Sequence, residues 1–180
     1  NMRLAAYPPG KGDITNMIRS YIHRCQKDGV KIVMNCEVTP ELIKEEKPDS
    51  VIIATGSKTL ILPIEGIDNP AIIHGSDLLD GKRAAGKKVL VVGGGMVGCE
   101  TAAFLGEQEH DVTVIEFRDT VGADVIHEHR VYLMKDFEDY GIKEITGAKV
   151  CKFYEDGVEY ETADGVRHES RGYDSVILSM

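Results

Sequence analysis

Residues 88–100 read Lys-Val-Leu-Val-Val-Gly-Gly-Gly-Met-Val-Gly-Cys-Glu, and Gly93, Gly95 and Gly98 within them satisfy G-x-G-x-x-G. An apolar run precedes the glycines, a helix-forming run follows, and the next strand ends in Glu116, 18 residues beyond Gly98. In that setting Gly93 makes the tight turn out of the strand, Gly95 lets the backbone approach a pyrophosphate, and Gly98 lets the helix pack closely on the sheet. The free amides at the helix start, with Gly94, Met96 and Val97 completing the turn, face the phosphates. The combination reads as a dinucleotide site, against the alternative of a purely structural glycine turn. Glu116 is expected to accept hydrogen bonds from the adenosine ribose, with Phe117 and Arg118 beside it. A 2′-phosphate there meets a carboxylate, which favours NADH over NADPH, although the Arg118 guanidinium could hold that phosphate.

Other reactive side chains are weaker candidates. Glu100, on the first turns of the same helix, either suits the helix dipole or lies near the nicotinamide end. Cys25, Cys36, Cys99 and Cys151 contain no Cys-x-x-Cys pair, so neither a zinc site nor a disulfide framework is expected. Cys99 reads as a small packing residue between helix and sheet, and Cys25 as part of an apolar stripe. His127 and His129 flank Glu128, but residues two apart point to different sides of a helix, so a solvated helix start is expected rather than a metal site. The chain is expected to carry no metal ligands and no general acid, base or nucleophile.

These residues need elements to hold them. Asp13 can cap a helix with Ile14, Met17, Ile18, Tyr21, Ile22 and Cys25 on one face, ended by Gly29. A short strand is expected over residues 30–34, a brief helix from Thr39-Pro40, and a buried strand over 50–54. Residues 60–73, with Pro63, Gly66 and Pro70, read as a connection. Strand 88–92, helix 96–108 and strand 111–116 follow, then a helix over 124–140 with Ile126, Leu133, Phe137 and Tyr140 inward. From Lys143 the pattern alternates, broken at Asp156-Gly157 and Asp164-Gly165, which predicts an antiparallel meander. Strand 175–178 closes the set. The fold class is α/β: a Rossmann-like three-layer domain with a mainly parallel sheet and an inserted antiparallel meander. Residues 1–70 and 71–180 are expected to form two domain segments.

The composition excludes several classes. The 180 residues carry a formal charge of −9, which argues against nucleic acid or an anionic membrane surface as partner. No apolar run approaches the roughly 18 residues of a membrane span, and no signal-peptide layout occurs at the start. The scattered free thiols suit a reducing cytoplasm. Asn1 precedes Met2, and residues 173–180 read as a strand with nothing after it, so the chain is expected to be a piece of a longer protein.

The run Ser50-Val-Ile-Ile-Ala54-Thr55-Gly56-Ser57, then Pro63-Ile-Glu-Gly66-Ile67, then the glycine fingerprint, resembles the two-dinucleotide-domain flavoprotein reductases. The stretch from Pro8-Pro-Gly-Lys-Gly-Asp13 to Gly29-Val30-Lys31-Ile32 is similar to the C-terminal part of the NADH:flavin oxidoreductases of the 2-enoate and 2,4-dienoyl-CoA reductase type. The resemblance implies that Ala54, Thr55 and Gly56 border an FAD site. It implies an NADH-binding segment 71–180 and a strip of FAD domain over 1–70, working with FAD and barrel domains elsewhere. FAD, an iron–sulfur cluster and FMN would then carry electrons from NADH to an activated C=C bond. The family's first glycine fingerprint, which grips the FAD pyrophosphate, does not occur in this sequence, so flavin binding by the chain alone is not expected. A rival within the same broad family, after trimethylamine dehydrogenase, is a module that holds ADP without hydride transfer. A disulfide or peroxide reductase would need cysteines that this sequence does not supply.

Overall fold

In the computed structural model, residues 2–56 and 61–180 are described. Asn1, Ser57 of the FAD-side run and Leu60 at the start of the connection lie outside them. A short 3-10 turn over Leu4–Ala6 leads to helix α1, Asp13–Lys27. Asp13 does not cap α1; it is the helix's first residue and accepts a hydrogen bond from the Asn16 amide at 3.3 Å. Gly29, at φ +72°, turns the chain away after the helix. Helix α2, Pro40–Glu46, starts as its sequence demands: Thr39 accepts the Leu42 N–H at 3.3 Å and Pro40 takes the first turn.

The two strands expected in this half do not form. Residues 30–34 and 51–56 have no ladder partner among the described residues, and Ile52 and Ile53 are 91% and 84% exposed. The apolar stripe of α1 is likewise uncovered: the helix has no buried residue, and Cys25 is half-buried rather than core. Apolar runs state a need for burial, and among the described residues no strand lies alongside these to meet it.

From residue 88 onward the chain alternates as expected; ahead of that, a short strand and helix over 73–79 form where the sequence predicts only a connection ending at 73. Strand β1 (Ile73–His74) and helix α3 (Gly75–Leu79) are followed by β2 (Lys88–Val92), α4 (Met96–Glu107) and β3 (Asp111–Ile115). Then come α5 (His127–Asp139), β4 (Lys143–Ile145), β5 (Lys149–Tyr154), β6 (Gly157–Glu161), β7 (Arg167–Ser170) and β8 (Ser175–Leu178). The main sheet runs β1-β8-β2-β3-β4 with every pairing parallel. A separate antiparallel sheet runs β5-β6-β7. Asp156 lies in the tight turn between β5 and β6, as the Asp-Gly signal requires. Lys143–Ile145 pairs with β3 as the edge of the parallel sheet instead of opening the meander.

Strand alternation sorts the core into two sides of that sheet. Val89, Val91, Val112, Val114 and Ile177 face α4 and α5, where Cys99, Ala102, Leu133 and Phe137 cover them. Leu90, Val92, Ile115, Val176 and Leu178 face the meander, where Phe153 and Val158 close the other side. The result is helix, parallel sheet and antiparallel sheet in three layers. Ile126, expected inward, is 71% exposed, because α5 begins only at His127 and Ile126 is its extended N-cap.

Candidate dinucleotide cleft

Strand order reverses at β2, which has β3 on one side and β8 on the other, and such switch points open a crevice beyond the strands' carboxyl ends. The glycine turn fills that position, and its four glycines divide into two kinds. Gly93 stands at φ +103°, and a Cβ there would come 2.5 Å from the Ser179 carbonyl oxygen. A Cβ on Gly98 would run into the Gly93 carbonyl, so α4 can start only where its first turn presses on the strand end. A Cβ on Gly94 would lie 2.8 Å from Glu116 Cβ and 3.0 Å from Val121. These three glycines are demanded by packing. Gly95 differs: its backbone is ordinary (φ −71°), and the atoms nearest its added Cβ would be those of the Asp124 carboxylate, from 3.2 Å. Gly95 therefore opens onto a space whose nearest atoms belong to an exposed side-chain carboxylate.

That space is a cleft of about 1100 Å³, bordered by Gly95, Met96, Val97, Glu116, Phe117 and Arg118. Glu116 stands just past β3 with its carboxylate tied down. One oxygen accepts the Gly94 N–H at 2.6 Å and the other accepts the Arg118 N–H at 2.9 Å. A carboxylate offers about four acceptor positions, so two remain for a ligand. Phe117, 69% exposed, lies beside it. Ser179, just past β8, also lines the cleft, and its buried hydroxyl oxygen has no hydrogen-bond partner among the described residues. Buried polar atoms are nearly always satisfied, so an orphan on a cleft wall marks a place for a ligand or water.

Cys99 behaves as a packing residue. It is fully buried, its thiol donates to the Gly94 carbonyl at 3.2 Å, and burial pushes the thiol up to about 12. Glu100 is 6% exposed and carries an ion pair to Lys11 with His129 Nε2 3.5 Å away. It stands between the cleft and a small cavity of about 60 Å³ bordered by Lys11, His129 and Asp136. Besides its place near the helix start, it anchors the N-terminal segment to α4. His129 is thus no purely solvated residue: the first turn of α5 brings it over α4 and onto Glu100. Among the described residues no group of three His, Cys, Asp or Glu side chains converges as a metal site, and no helix is long and apolar enough to cross a membrane.

Sequence spacing missed Ser179 and also Asp124, a charged residue of the cleft. Asp124 accepts the Met96 N–H at 3.0 Å, at the amide end of α4. It comes from the loop after β3, which is folded back by the Gly122 N–H donating to the Gly94 carbonyl at 2.7 Å. Nothing local to Asp124 marks this; the helix expected over 124–140 placed it in a first turn instead. Ala54, Thr55 and Gly56, expected to border an FAD site, are exposed, irregular in backbone and outside the cleft lining, with Gly56 at φ +79°.

Residues 11–180 match the pyridine nucleotide-disulphide oxidoreductase family. The chain is 31% identical over 164 residues to bilirubin reductase of Mediterraneibacter gnavus, covering 91% of this chain and 26% of that protein. It is 31% identical over 181 residues to NADH oxidase of Thermoanaerobacter brockii, covering 98% of this chain and 28% of that one. Among solved structures, a 2-naphthoyl-CoA reductase superposes with a TM-score of 0.88 at 32% identity, over 99% of this chain and 27% of that chain. The chain thus spans little more than a quarter of the length of the proteins it is similar to. With a glycine-turned cleft at the switch point of a parallel sheet and these matches over nearly its whole length, the chain belongs to the pyridine nucleotide-disulphide oxidoreductase family.

Proposed function

We propose that this chain is the NADH-docking part of a flavin-dependent oxidoreductase that reduces an activated C=C bond. The reading is carried by Gly95, the one glycine of the turn where an added Cβ would stay beyond 3.0 Å of every neighbour, opening onto a cleft with Glu116 at its mouth. In this reading the amides from Gly95 to Val97 receive the pyrophosphate, and the free lone pairs of Glu116 receive the adenosine ribose hydroxyls. Phe117 flanks the adenine side, and Arg118 offers a cation at the same edge. Glu100, held by Lys11 and His129, lies toward the nicotinamide end. The bound dinucleotide supplies a hydride, and the chain's part is to hold and orient it while the flavin does the chemistry. FAD, an iron–sulfur cluster and FMN belong to the same reading, as companions in further FAD and barrel domains.

Residues 1–70 are assigned to the FAD side, with Ala54, Thr55 and Gly56 bordering that cofactor, and residues 71–180 to the NADH side. The uncovered apolar faces of α1 and of residues 51–53 support this, since such surface is suited to a docked neighbour. The test is NADH titration by calorimetry against a Gly95→Val variant. That position's backbone is compatible with a side chain, so the variant is expected to fold and to lose at least about tenfold in affinity through a blocked amide approach. Unchanged NADH affinity in a folded variant would overturn the site.

A further inference from the structure

The amide end of α4 already holds an anion, and it is the protein's own. We infer that the Asp124 carboxylate is a built-in competitor for the pyrophosphate subsite, displaced when the dinucleotide enters, and that it thereby sets how tightly the cofactor is held. The inference rests on the dinucleotide reading above and goes beyond it, because neither the glycine fingerprint nor Glu116 requires such a residue.

Three observations converge. Asp124 Oδ1 accepts the Met96 N–H at 3.0 Å, one of the donors a helix start leaves for an anionic ligand. Both carboxylate oxygens lie within 3.4 Å of where a Gly95 Cβ would stand, which is the space the backbone glycine keeps open. Asp124 is exposed and lines the cleft, so its side chain can swing to solvent without disturbing the core. The loop itself is fixed independently of the carboxylate, through the Gly122 to Gly94 bond and the Val125 N–H donating to the Gly122 carbonyl at 3.1 Å. A carboxylate and a doubly charged pyrophosphate repel, and the Met96 N–H cannot serve both fully. Binding must therefore break the Asp124 contact and move its charge away.

The test uses ADP-ribose, which carries the pyrophosphate but no nicotinamide and cannot reduce a flavin, alongside adenosine, which carries no phosphate. Both are titrated by calorimetry into the wild-type protein, Asp124→Asn and Asp124→Ala. Asp124→Asn keeps an oxygen for the Met96 N–H and removes the charge; Asp124→Ala removes both. ADP-ribose is expected to bind about tenfold tighter to Asp124→Asn, and at least as tightly to Asp124→Ala, by loss of a like charge at the subsite. Adenosine affinity is expected to stay within about twofold, since it offers no anion to compete. Unchanged or weaker ADP-ribose binding in both variants overturns the inference and assigns Asp124 to bracing the loop. Equal tightening of adenosine also overturns it, because the cleft would then simply have widened. Wild-type protein that binds ADP-ribose no differently from Gly95→Val overturns the dinucleotide reading itself, and the inference with it.

Discussion

Residues 51–54 and 89–92 are close in composition, Val-Ile-Ile-Ala against Val-Leu-Val-Val, and end up in opposite surroundings. In β2, Val89 to Val91 are fully buried, flanked by β3 and β8 and covered on both faces. In the other run Val51 is 51% exposed and Ile52 91%, with no strand alongside among the described residues. Intrinsic preference for strand is similar in the two, so preference does not separate them. The difference lies in long-range neighbours: a β-strand needs a partner's N–H and C=O groups, and its apolar side chains need a second layer. The same contrast holds for helices. The apolar residues of α1 lie on one stripe and none is buried, whereas α4 has no strong stripe and buries most of its length between sheet and α5.

Thiol chemistry offers the largest effect with which to break this comparison. Cys36 is exposed in the N-terminal half, and Cys99 is buried in α4. Burial lifts Cys99 from an ordinary 9.0 to about 12, so near neutral pH only a minute fraction is thiolate, the form that reacts. Labelling with a thiol reagent is expected to be at least about a thousandfold slower at Cys99 than at Cys36, read by mass spectrometry of the labelled peptides. The raised value also fixes a sign. Its contribution to stability is fully present below about pH 9 and is lost as pH rises toward 12. Comparable labelling rates in folded protein would show that α4 is not the closed layer described.

A matched pair of truncations is next in size. Ile177→Ala removes a fully buried side chain from β8, and Ile52→Ala removes one that is 91% exposed. The first is expected to cost about 2–5 kcal/mol in denaturant unfolding. The second should stay within about 0.5 kcal/mol, as for other surface positions. If Ile52→Ala costs as much as Ile177→Ala, residues 51–54 are packed in solution and the contrast fails.

How far the sequence carried depends on the range of each interaction. The unit of β2, glycine turn, α4, β3 and Glu116 was legible because neighbouring residues encode nearly all of it: the turn geometry, the helix start and the spacing to the acid. The meander was legible from its turns, since Asp156-Gly157 and Asp164-Gly165 set their own hairpins. The strands expected at 30–34 and 50–54 were read from apolar composition, which is silent about a partner. Lys143–Ile145 pairs with β3 and not with the meander for the same reason: alternation gives a face and not a neighbour. Asp124 and His129 were beyond reach. Each meets α4 only because the chain after β3 folds back over it, through the Gly122 to Gly94 bond and the packing of α5.

The smallest expected effect sharpens the comparison at the rim of its well-paired side, where Glu116 is proposed to select between two dinucleotides. Its carboxylate is held in place by the N–H groups of Gly94 and Arg118, so it cannot turn away from an incoming phosphate at little cost. Charged hydrogen bonds to ribose hydroxyls contribute about 1.5–3 kcal/mol each when well placed, and a 2′-phosphate replaces one with like-charge repulsion. The Arg118 guanidinium can offset part of that, but it must give up rotamer freedom in water to do so. NADH is therefore expected to bind about tenfold tighter than NADPH, a difference of about 1.4 kcal/mol. Glu116→Ala should narrow or reverse the gap, and Arg118→Ala should widen it. Removing the Glu116 side chain also frees the Gly94 N–H, so some loss of NADH affinity should accompany the change in preference. Equal binding of NADH and NADPH by the wild-type protein at low salt, where the repulsion is least screened, would remove Glu116 from the selection.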